Sequence, residues 1–389
     1  MRKIGFSGTL DPITNGHMWV IEEARTMADE VVVFISENPF KKCQFSAERR
    51  QAIVAQSCLE RGWNNVSVIL VRGDYTARAA KKYGVDYLLR GIRNTTDFDY
   101  ENLLQQANVD VINGTKTVFV MPPRDLGSVS SSFIKGLQGP VGWHWHTKKF
   151  IPPAAYAAWI EDWLRQEWRQ LWMHNTFEAK TDVAESRNQE AWFHKLLQAY
   201  SAPTRHYHNL DHLVHGLSEI KVWGANYAVS ESDLRSLKLA FWFHDFIYGG
   251  QQDISDEEAS AQAWLDSSLD LAHAELVAQL IRATDHFQGQ QITHPLKAVL
   301  IGADLAILGQ HIATYQSYTN AIRMEYQHVP QPIYVQKRRQ AMMHLRALAI
   351  AEKLFENEYF AKQYNEIAIE NMSMEIERLV SMSEEMTGN

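Results

Sequence analysis

The chain has 389 residues and a formal net charge of −8, with 46% hydrophobic and 22% charged residues. That length suits about two domains, and the composition is typical of folded globular proteins, which excludes extensive disorder. No apolar run approaches the ~20 residues of a membrane-spanning helix, and only two cysteines are present, which excludes a disulfide framework. The first residues lack the layout of a signal peptide, so we expect a cytoplasmic protein without a membrane partner.

Charge is unevenly distributed along the chain. Up to Trp172 there are 21 Lys and Arg against 18 Asp and Glu, whereas the remainder has 17 against 28. Three of the 16 histidines precede Trp172 and 13 follow it. This shift predicts two modules with different chemistry, at residues 1–172 and 173–389. The overall acidity argues against nucleic acid as a partner.

The first half alternates short apolar runs with helical patterns. In chain order, strand-like runs lie at 3–6, 31–36, 66–71, 87–89 and 117–121, with helices at 16–27 and 46–59. Strands separated by helices predict a Rossmann-like α/β fold with a parallel sheet. Six of the 12 tryptophans lie between Trp143 and Trp172, and their four-residue spacing predicts a closing helix that packs through bulky faces.

The second half carries almost no strand signal. Apolar residues recur there at three- and four-residue spacing, as in Leu234, Leu237 and Phe241. We therefore expect residues 173–389 to form an all-helical module.

The segment from Gly8 to His17, called the nucleotide loop below, follows the first strand and opens the first helix. Open parallel sheets bind ligands at this place, beyond the carboxyl ends of their strands. Gly8 permits a phosphate to approach closely and Thr9 offers a hydroxyl, while the helix start near His17 presents free N–H groups to an anion. The alternative is an ordinary strand-to-helix turn, in which Gly and Pro only set the backbone conformation and no ligand is bound.

The string Gly8-Thr9-x-Asp11-Pro12-x-x-x-Gly16-His17 matches the signature of nucleotidyltransferases with T/HxGH motifs. Its surroundings resemble bacterial phosphopantetheine adenylyltransferase. Further matching segments follow in the same order, at 38–42, 90–93, 97–101, 119–122 and 129–135. The similarity covers about residues 1 to 165.

This resemblance implies transfer of the adenylyl group of ATP to 4′-phosphopantetheine, giving dephospho-CoA and pyrophosphate, with Mg²⁺ accompanying the ATP. Such a site needs in-line positioning and neutralisation of charge on the phosphates. The resemblance implies that His17 and Thr9 contact the ATP phosphates, that Lys41 stabilises the transferring phosphate, and that Arg90 contacts the pantetheine phosphate or the nucleotide. The other binding positions that it implies are Gly8, Gly16, Arg93, Tyr100, Glu101, Asn108, Ser130, Ser131 and Ser132.

Three departures from the family pattern concern the acceptor substrate. Phe6-Ser7 stands where the family commonly has Tyr-Pro, Tyr75-Thr76 stands at the usual apolar pair, and Gly136 replaces a glutamate. Another phosphorylated acceptor, such as nicotinamide mononucleotide, is therefore the alternative. The family is typically hexameric, so the resemblance also implies a homo-oligomer.

A second group of chemically active residues lies in the helical half. His212, the His244-Asp245 pair and Asp304 fall on three predicted helices, and His244 continues the apolar stripe of its helix. A buried imidazole followed by a carboxylate needs a partner. The alternative for each lone histidine is a satisfied core or surface residue. Imidazole nitrogen with carboxylate oxygen suits Mn²⁺, Fe²⁺, Co²⁺, Ni²⁺ or Zn²⁺.

These residues resemble the HD phosphohydrolase superfamily, with its ligand order H…HD…D, over about residues 175 to 370. The resemblance implies that His212, His244, Asp245 and Asp304 bind the metal and that Asp245 is also catalytic. His208 competes for the first ligand position. His286 is a further candidate for a second metal or for substrate phosphate, and Arg205 and Arg323 are candidate phosphate partners.

The sequence thus predicts a bifunctional enzyme of coenzyme A biosynthesis, an adenylyltransferase fused to a metal-dependent phosphohydrolase of unknown phosphoester or nucleotide substrate. In the alternative, the helical module is a non-catalytic regulatory domain that binds a nucleotide.

Overall fold

A computed structural model of the chain describes residues 1–37, 41–110, 114–173, 183–250, 254–285 and 293–387. The chain divides into two compact units, Met1–Trp163 and Leu164–Asn389. The division falls inside one helix that runs from Pro153 to Trp172. The predicted boundary after residue 172 is the end of that helix.

The first unit contains a five-stranded sheet in which every described pair of strands is parallel. Its strands are β1 (Lys3–Gly8), β2 (Glu30–Ser36), β3 (Val66–Val71), β4 (Tyr87–Gly91) and β5 (Lys116–Val120). Its helices are α1 (Asn15–Met27), α2 (Ala47–Glu60), α3 (Thr76–Lys82), α4 (Thr95–Asp110), α5 (Ser131–Leu137), α6 (Trp143–Thr147) and α7 (Pro153–Trp172). The predicted parallel α/β fold is confirmed. The sequence patterns had not indicated α3 and α4.

The strand order is β3-β2-β1-β4-β5. Strands β2 and β3 are therefore added on one side of β1, and β4 and β5 on its other side, so the order reverses between β1 and β4. Ile4 of β1 pairs with Val31 on one side and with Tyr87 on the other. In the central part of the sheet, Val31, Val33 and Phe34 are fully buried because both faces of a parallel sheet are covered. Open sheets of this kind bind ligands beyond the carboxyl ends of the strands where the strand order reverses, here β1 and β4.

The second unit consists of helices and loops throughout its described residues. After the last part of α7 come α8 (Val183–Tyr200), α9 (Leu210–Asn226), α10 (Glu231–Phe243), α11 (Asp256–Ser267), α12 (Ala274–Arg282), α13 (Leu296–Leu305), a 3-10 turn (Ala306–Gly309), α14 (Ile312–Glu325), α15 (Gln331–Ile350) and α16 (Glu358–Thr387). The predicted helical character of this half is confirmed.

Helices α9 and α10 cross at very short range. A Cβ atom added at Gly216 of α9 would lie 1.9 Å from the ring of Phe241 on α10. Only glycine at this position lets the two helix axes approach so closely.

The tryptophans of α7 are core residues in both units. Trp159 packs edge-to-face on Phe45 in the first unit, with ring centroids 6.0 Å apart. Trp168 packs on Trp242 in the second unit at 5.2 Å. Both indole rings are essentially inaccessible to solvent, which agrees with the predicted packing helix.

Within the described part of the chain, no single helix has the length and apolar character needed to cross a membrane. The segments Leu296–Gly309 and Ile312–Glu325, bent by 103°, reach that length and composition only when taken together.

Candidate functional sites

The start of α1 holds His17 in a single tautomer. Thr14 caps the helix, its hydroxyl accepting a hydrogen bond from the backbone N–H of His17 at 3.4 Å. In return, the backbone N–H of Thr14 donates to His17 Nδ1 at 3.0 Å. Since a backbone N–H only donates, Nδ1 carries no proton, and the neutral ring must carry its proton on Nε2. His17 is therefore a hydrogen-bond donor at the end of β1.

The electrostatic surroundings keep this imidazole neutral. Burial, together with the positive charges of Arg93, Arg90 and Lys41, lowers the pKa of His17 to about 3. These three cations therefore act together at the nucleotide loop, where they favour an anionic ligand. Lys41 is exposed, and residues 38–40 of the expected lysine-containing segment lie outside the described residues.

Two buried charged residues, Asp11 and Arg50, connect the nucleotide loop to neighbouring segments. Asp11, only 3% exposed, accepts from the backbone N–H groups of Gln44 at 2.8 Å and Phe45 at 3.0 Å, and from Lys135. Arg50 donates to the carbonyls of Phe45 at 3.3 Å, Ser36 at 3.2 Å and Thr9. These bonds hold the loop against the segment that follows Lys41.

Sequence reasoning did not assign Asp11 or Arg50 to the site. The available signals were an acidic residue inside the Gly-Thr motif and an arginine on the face of α2 that also buries Ile53 and Val54. Neither signal indicates which backbone groups these two side chains bind.

Arg90 lies at the end of β4, and its guanidinium is already engaged. Its Nε donates to Glu101 at 2.9 Å, a second bond runs from Nη2 to the same carboxylate, and Nη1 contacts the carbonyl of Ser7. The Ser7 hydroxyl is a further acceptor at 3.3 Å. Arg90 and Glu101, expected as separate ligand contacts, thus form an ion pair. One of the departures from the family pattern, Ser7, contributes to holding it.

The remaining residues expected near β4 lie on or just before α4. Arg93 pairs with Asp97 through bonds of 2.7 and 3.1 Å at the start of that helix. Tyr100 is 59% exposed, whereas Asn108 is half-buried two turns further along α4. Arg93 thus adds positive charge that acts on His17, whereas the Tyr100 side chain is exposed to solvent.

The expected serine turn forms the start of α5 and adjoins the nucleotide loop. The Ser130 hydroxyl caps the helix by accepting from the N–H of Phe133 at 3.1 Å, and the Ser131 hydroxyl donates to the carbonyl of Pro12 at 2.8 Å. Ser132 is exposed. A Cβ at Gly16 would lie 3.2 Å from the Val129 carbonyl, and one at Gly8 would lie 2.9 Å from the Leu10 side chain. Both glycines therefore permit close packing around the loop.

In the second unit, four side chains converge in what we call the His-Asp cluster: His212, His244, Asp245 and Asp304. His212 Nε2 and His244 Nε2 are 3.1 Å apart, and His244 Nε2 is 3.1 Å from Asp245 Oδ2. Asp304 Oδ1 lies 3.4 Å from each imidazole Nε2 atom. His212 Nε2 is 3.6 Å from Asp245 Oδ2.

These donor atoms suit a divalent metal ion. Ligand atoms about 2.0–2.2 Å from a common metal are roughly 2.9–3.6 Å from one another, which matches the separations in the His-Asp cluster. His244 Nδ1 lies 2.8 Å from the Phe241 carbonyl, so Nδ1 carries a proton and Nε2 is the nitrogen that faces the cluster. His212, His244 and Asp245 each offer one ligand atom, and these three atoms all lie within 4.8 Å of one another.

The burial of the two histidines and the charges around them also favour a bound cation. Burial lowers the pKa of His212 to about 3, so its ring stays neutral, the form that binds metals. Burial disfavours charge at His244 as well, but the Asp245 and Asp304 carboxylates outweigh it and raise the pKa of His244 well above its usual value. The cluster thus concentrates negative charge at Nε2 of His244 and favours a cation there.

His208, the competitor for the first ligand position, lies beside the His-Asp cluster. Its Nε2 is 4.0 Å from Asp245 Oδ2, and its Nδ1 is 2.8 Å from Glu325, a buried carboxylate that sequence reasoning missed. Glu325 also accepts from the backbone N–H groups of residues 206, 207 and 208, at 2.8, 2.8 and 2.9 Å. Asp245 Oδ2 is nearer to His212 Nε2, at 3.6 Å, than to His208 Nε2.

The two expected phosphate-binding arginines hold backbone carbonyls instead. Arg205 donates to Asp245 at 2.7 Å, Phe246 at 2.9 Å and His208 at 3.2 Å. Arg323 donates to the carbonyls of Tyr326 and Val329. His286 lies outside the described residues.

Comparison with known proteins concerns the first unit. A family model described as cytidylyltransferase-like matches residues 6–137. Phosphopantetheine adenylyltransferase of Chromobacterium violaceum is 35% identical over 156 residues, which span 40% of this chain and 94% of that protein. The enzyme of the same name from Streptococcus suis is 38% identical over 136 residues, 35% of this chain and 83% of that protein.

Among solved structures, a lipopolysaccharide core biosynthesis protein from Thermoplasma volcanium aligns with a TM-score of 0.25 and 20% identity, covering 31% of this chain and 96% of that chain. The relatives from Chromobacterium and Streptococcus are aligned over most of their own length. Through its N-terminal part, the chain belongs to the phosphopantetheine adenylyltransferase family.

Proposed function

We propose that the first unit transfers the adenylyl group of ATP to 4′-phosphopantetheine, giving dephospho-CoA and pyrophosphate. The observation that carries this proposal is the His17 Nε2–H donor, which lies at the start of α1 in the field of Arg90, Arg93 and Lys41. A neutral donor surrounded by cations favours a phosphate chain, and family membership identifies the reaction.

In this reaction an oxygen of the acceptor phosphate forms a bond to the α-phosphorus of ATP, and the bond to the bridging α,β-oxygen breaks to release pyrophosphate. The attacking oxygen is already anionic, so no general base is needed. His17 donates its Nε2 proton in a hydrogen bond to a phosphate oxygen, while Lys41 neutralises charge on the transferring group. Asp11 and Arg50 keep the nucleotide loop in position. Mg²⁺ bound with ATP adds further charge neutralisation.

The test is pyrophosphate release from ATP by the full chain, with and without 4′-phosphopantetheine. Release that depends on this acceptor is the expected result. Nicotinamide mononucleotide is the second acceptor to test, because Ser7, Tyr75 and Gly136 depart from the family pattern. Pyrophosphate release with this acceptor and not with 4′-phosphopantetheine would show that the acceptor has been misassigned.

We propose that the second unit is a metal-dependent phosphohydrolase of the HD type, with the His-Asp cluster as its metal site. The separations of 3.1–3.6 Å between its nitrogen and oxygen atoms support this proposal. A bound divalent cation acts as a Lewis acid and makes water nucleophilic at neutral pH. His244, oriented through the Phe241 carbonyl, and His212 would hold the cation together with Asp245 and Asp304.

Metal analysis of the purified chain tests the second proposal, and we expect one equivalent of Mn, Fe, Co, Ni or Zn. His212→Ala should lose this metal. A chain that binds nucleotides but hydrolyses no phosphoester in the presence of added Mn²⁺ would support the regulatory alternative.

A further inference from the structure

Beside the His-Asp cluster, the ring of Tyr207 is enclosed by other rings. Its centroid lies 4.6 Å from that of Tyr318, 4.8 Å from His208 and 5.1 Å from the metal-ligand candidate His212. The Tyr207 hydroxyl oxygen is shielded from solvent and has no hydrogen-bond partner among the described residues. A buried hydroxyl without a partner loses its water contacts without compensation, so it requires an explanation.

The backbone on either side of Tyr207 is held in place by hydrogen bonds. The N–H of Tyr207 donates to Glu325 at 2.8 Å, and the N–H groups on either side bind the same carboxylate. Arg205 ties the carbonyl of His208 to those of Asp245 and Phe246. The backbone of residues 206–208 is thus held from both sides, and the Tyr207 ring packs among those of Tyr318, His208 and His212.

The surroundings of the hydroxyl keep its proton in place. Burial, then Tyr318, and then the carboxylates of Asp304 and Asp245 raise the pKa of Tyr207 well above its usual value. The centroid of the Tyr207 ring lies 5.1 Å from that of His212, so this tyrosine adjoins the His-Asp cluster. Tyr207 therefore presents an O–H donor beside the expected metal position.

The arginines near this point have their own partners. Arg205 and Arg323 bind backbone carbonyls, as described above. Arg338, which contacts the Tyr318 hydroxyl at 3.2 Å, makes two bonds of 2.9 and 3.2 Å to Glu375. Among the described residues, these three arginines therefore offer little free cationic charge to a second or third phosphate.

We propose that the Tyr207 hydroxyl donates a hydrogen bond to a phosphoryl oxygen of the substrate, and that the site takes an ester of a single phosphate group rather than a polyphosphate chain. The inference rests on the proposed phosphohydrolase function. In the reaction, a water oxygen forms a bond to phosphorus and the ester P–O bond breaks. One proton of the water goes to the departing alcohol, and the other stays on the product, hydrogen phosphate. Tyr207 binds throughout and transfers no proton.

The test compares the full wild-type chain, loaded with Mn²⁺, with Tyr207→Phe, which keeps the ring packing and removes only the hydroxyl. The substrates are p-nitrophenyl phosphate, pyrophosphate and ATP. We expect kcat/KM for the monoester to exceed those for pyrophosphate and ATP by about ten-fold or more. Tyr207→Phe should raise KM for the monoester by about ten-fold and weaken orthophosphate binding, measured by calorimetry, by a similar factor. Its metal content should be unchanged, and its Tm should be equal or higher because an unpaired buried polar group is lost.

Tyr315→Phe is the matched control, since the Tyr315 hydroxyl has a partner in Glu375 at 2.5 Å. That variant should show a lower Tm and an unchanged KM. An unchanged KM and unchanged orthophosphate binding in Tyr207→Phe would overturn the role of the hydroxyl. Preference for pyrophosphate or ATP would overturn the substrate class while leaving the hydrolase in place. Absence of hydrolysis with all three substrates would overturn the proposed function and this inference with it.

Discussion

At the scale of single residues, the direction of one hydrogen bond determines what His17 can do. A ring whose Nδ1 accepts from a backbone N–H has only Nε2–H to offer a ligand. With the pKa lowered to about 3, the ring carries no charge of its own near neutral pH. The positive charge at the nucleotide loop therefore comes from Lys41, Arg90 and Arg93.

The low pKa of His17 predicts a pH dependence of stability. Between the unfolded value of 6.5 and the folded value of about 3, the unfolded chain binds more protons than the folded one. The free energy of unfolding should therefore fall as the pH is lowered from 7 toward 5, and His17→Gln should reduce this loss. Thermal unfolding of both chains over that range is the measurement.

Nitrogen chemical shifts of labelled histidine provide the independent check of that prediction. The wild-type spectrum should contain one ring, absent in His17→Gln, that stays neutral from pH 5 to 8 with its proton on Nε2. A His17 ring that titrates near pH 6.5 would contradict the assigned hydrogen bond.

At the scale of elements, the crossing of α9 and α10 assembles half of the His-Asp cluster. Gly216 lies one turn beyond His212 on α9, and Phe241 lies one turn before His244 and Asp245. The contact between the glycine and the phenyl ring therefore sets the distance between the two imidazoles. A packing feature without chemistry of its own thus determines the geometry of the site.

Gly216→Ala should consequently destabilise the second unit and disturb the site. The added methyl group overlaps the Phe241 ring, and overpacking of this kind costs about 1–3 kcal/mol. Because relief requires the helices to separate, metal affinity should fall as well. Thermal unfolding and metal titration measure the two effects.

Gly224→Ala on the same helix is the control for Gly216→Ala. There a Cβ would meet only the flexible end of the Leu234 side chain, at 2.9 Å. We expect a smaller change in Tm and an unchanged metal affinity. Since Ala favours a helix more than Gly does at both positions, equal losses in the two variants would contradict a special role for the crossing at Gly216.

At the scale of the whole molecule, the net charge of −8 is the sum of two unlike parts. The residues after Trp172 hold 28 of the 46 acidic side chains, and two of these carboxylates belong to the His-Asp cluster. A divalent cation there would cancel part of the formal charge locally. The first unit instead gathers cations around His17.

The division into two units predicts that the two proposed activities are separable. Asp245→Ala removes one charged ligand, so metal affinity should fall by roughly 100-fold or more, since loss of even an outer hydrogen-bonding partner costs 10–100-fold. Hydrolysis should be abolished, while adenylyl transfer should keep its wild-type kcat/KM. Both rates are measured on the same preparation. Loss of both activities would show that the units depend on each other.

Much of the fold was predictable because its signals are local. Apolar runs of strand length between helical patterns indicated the parallel sheet, and β1 and β2 lie where those patterns placed them. Helix α4 escaped prediction because its apolar residues form no stripe along one face. The motifs also placed the proposed first site in the loop that follows β1.

The supporting residues were not predictable in the same way. Asp11 binds backbone groups 33 and 34 positions away, and Glu325 binds those of residues 206–208 at separations of 117 to 119. No local pattern marks such a partner, since any buried carboxylate needs donors and the sequence offers many. Tyr207 was passed over for a similar reason, because only its tertiary surroundings leave its hydroxyl without a partner.

The sequence by itself determined the order of the strands, the nucleotide loop and the residue types available for metal binding, because motif and periodicity are properties of neighbouring residues. Only the tertiary structure decided that Arg90 pairs with Glu101, that Arg205 binds carbonyls rather than facing a ligand, and that the two imidazoles meet at 3.1 Å. Each of these outcomes is a choice among several donors and acceptors of the same chemistry. That choice depends on distance and burial, which arise only when remote segments pack together.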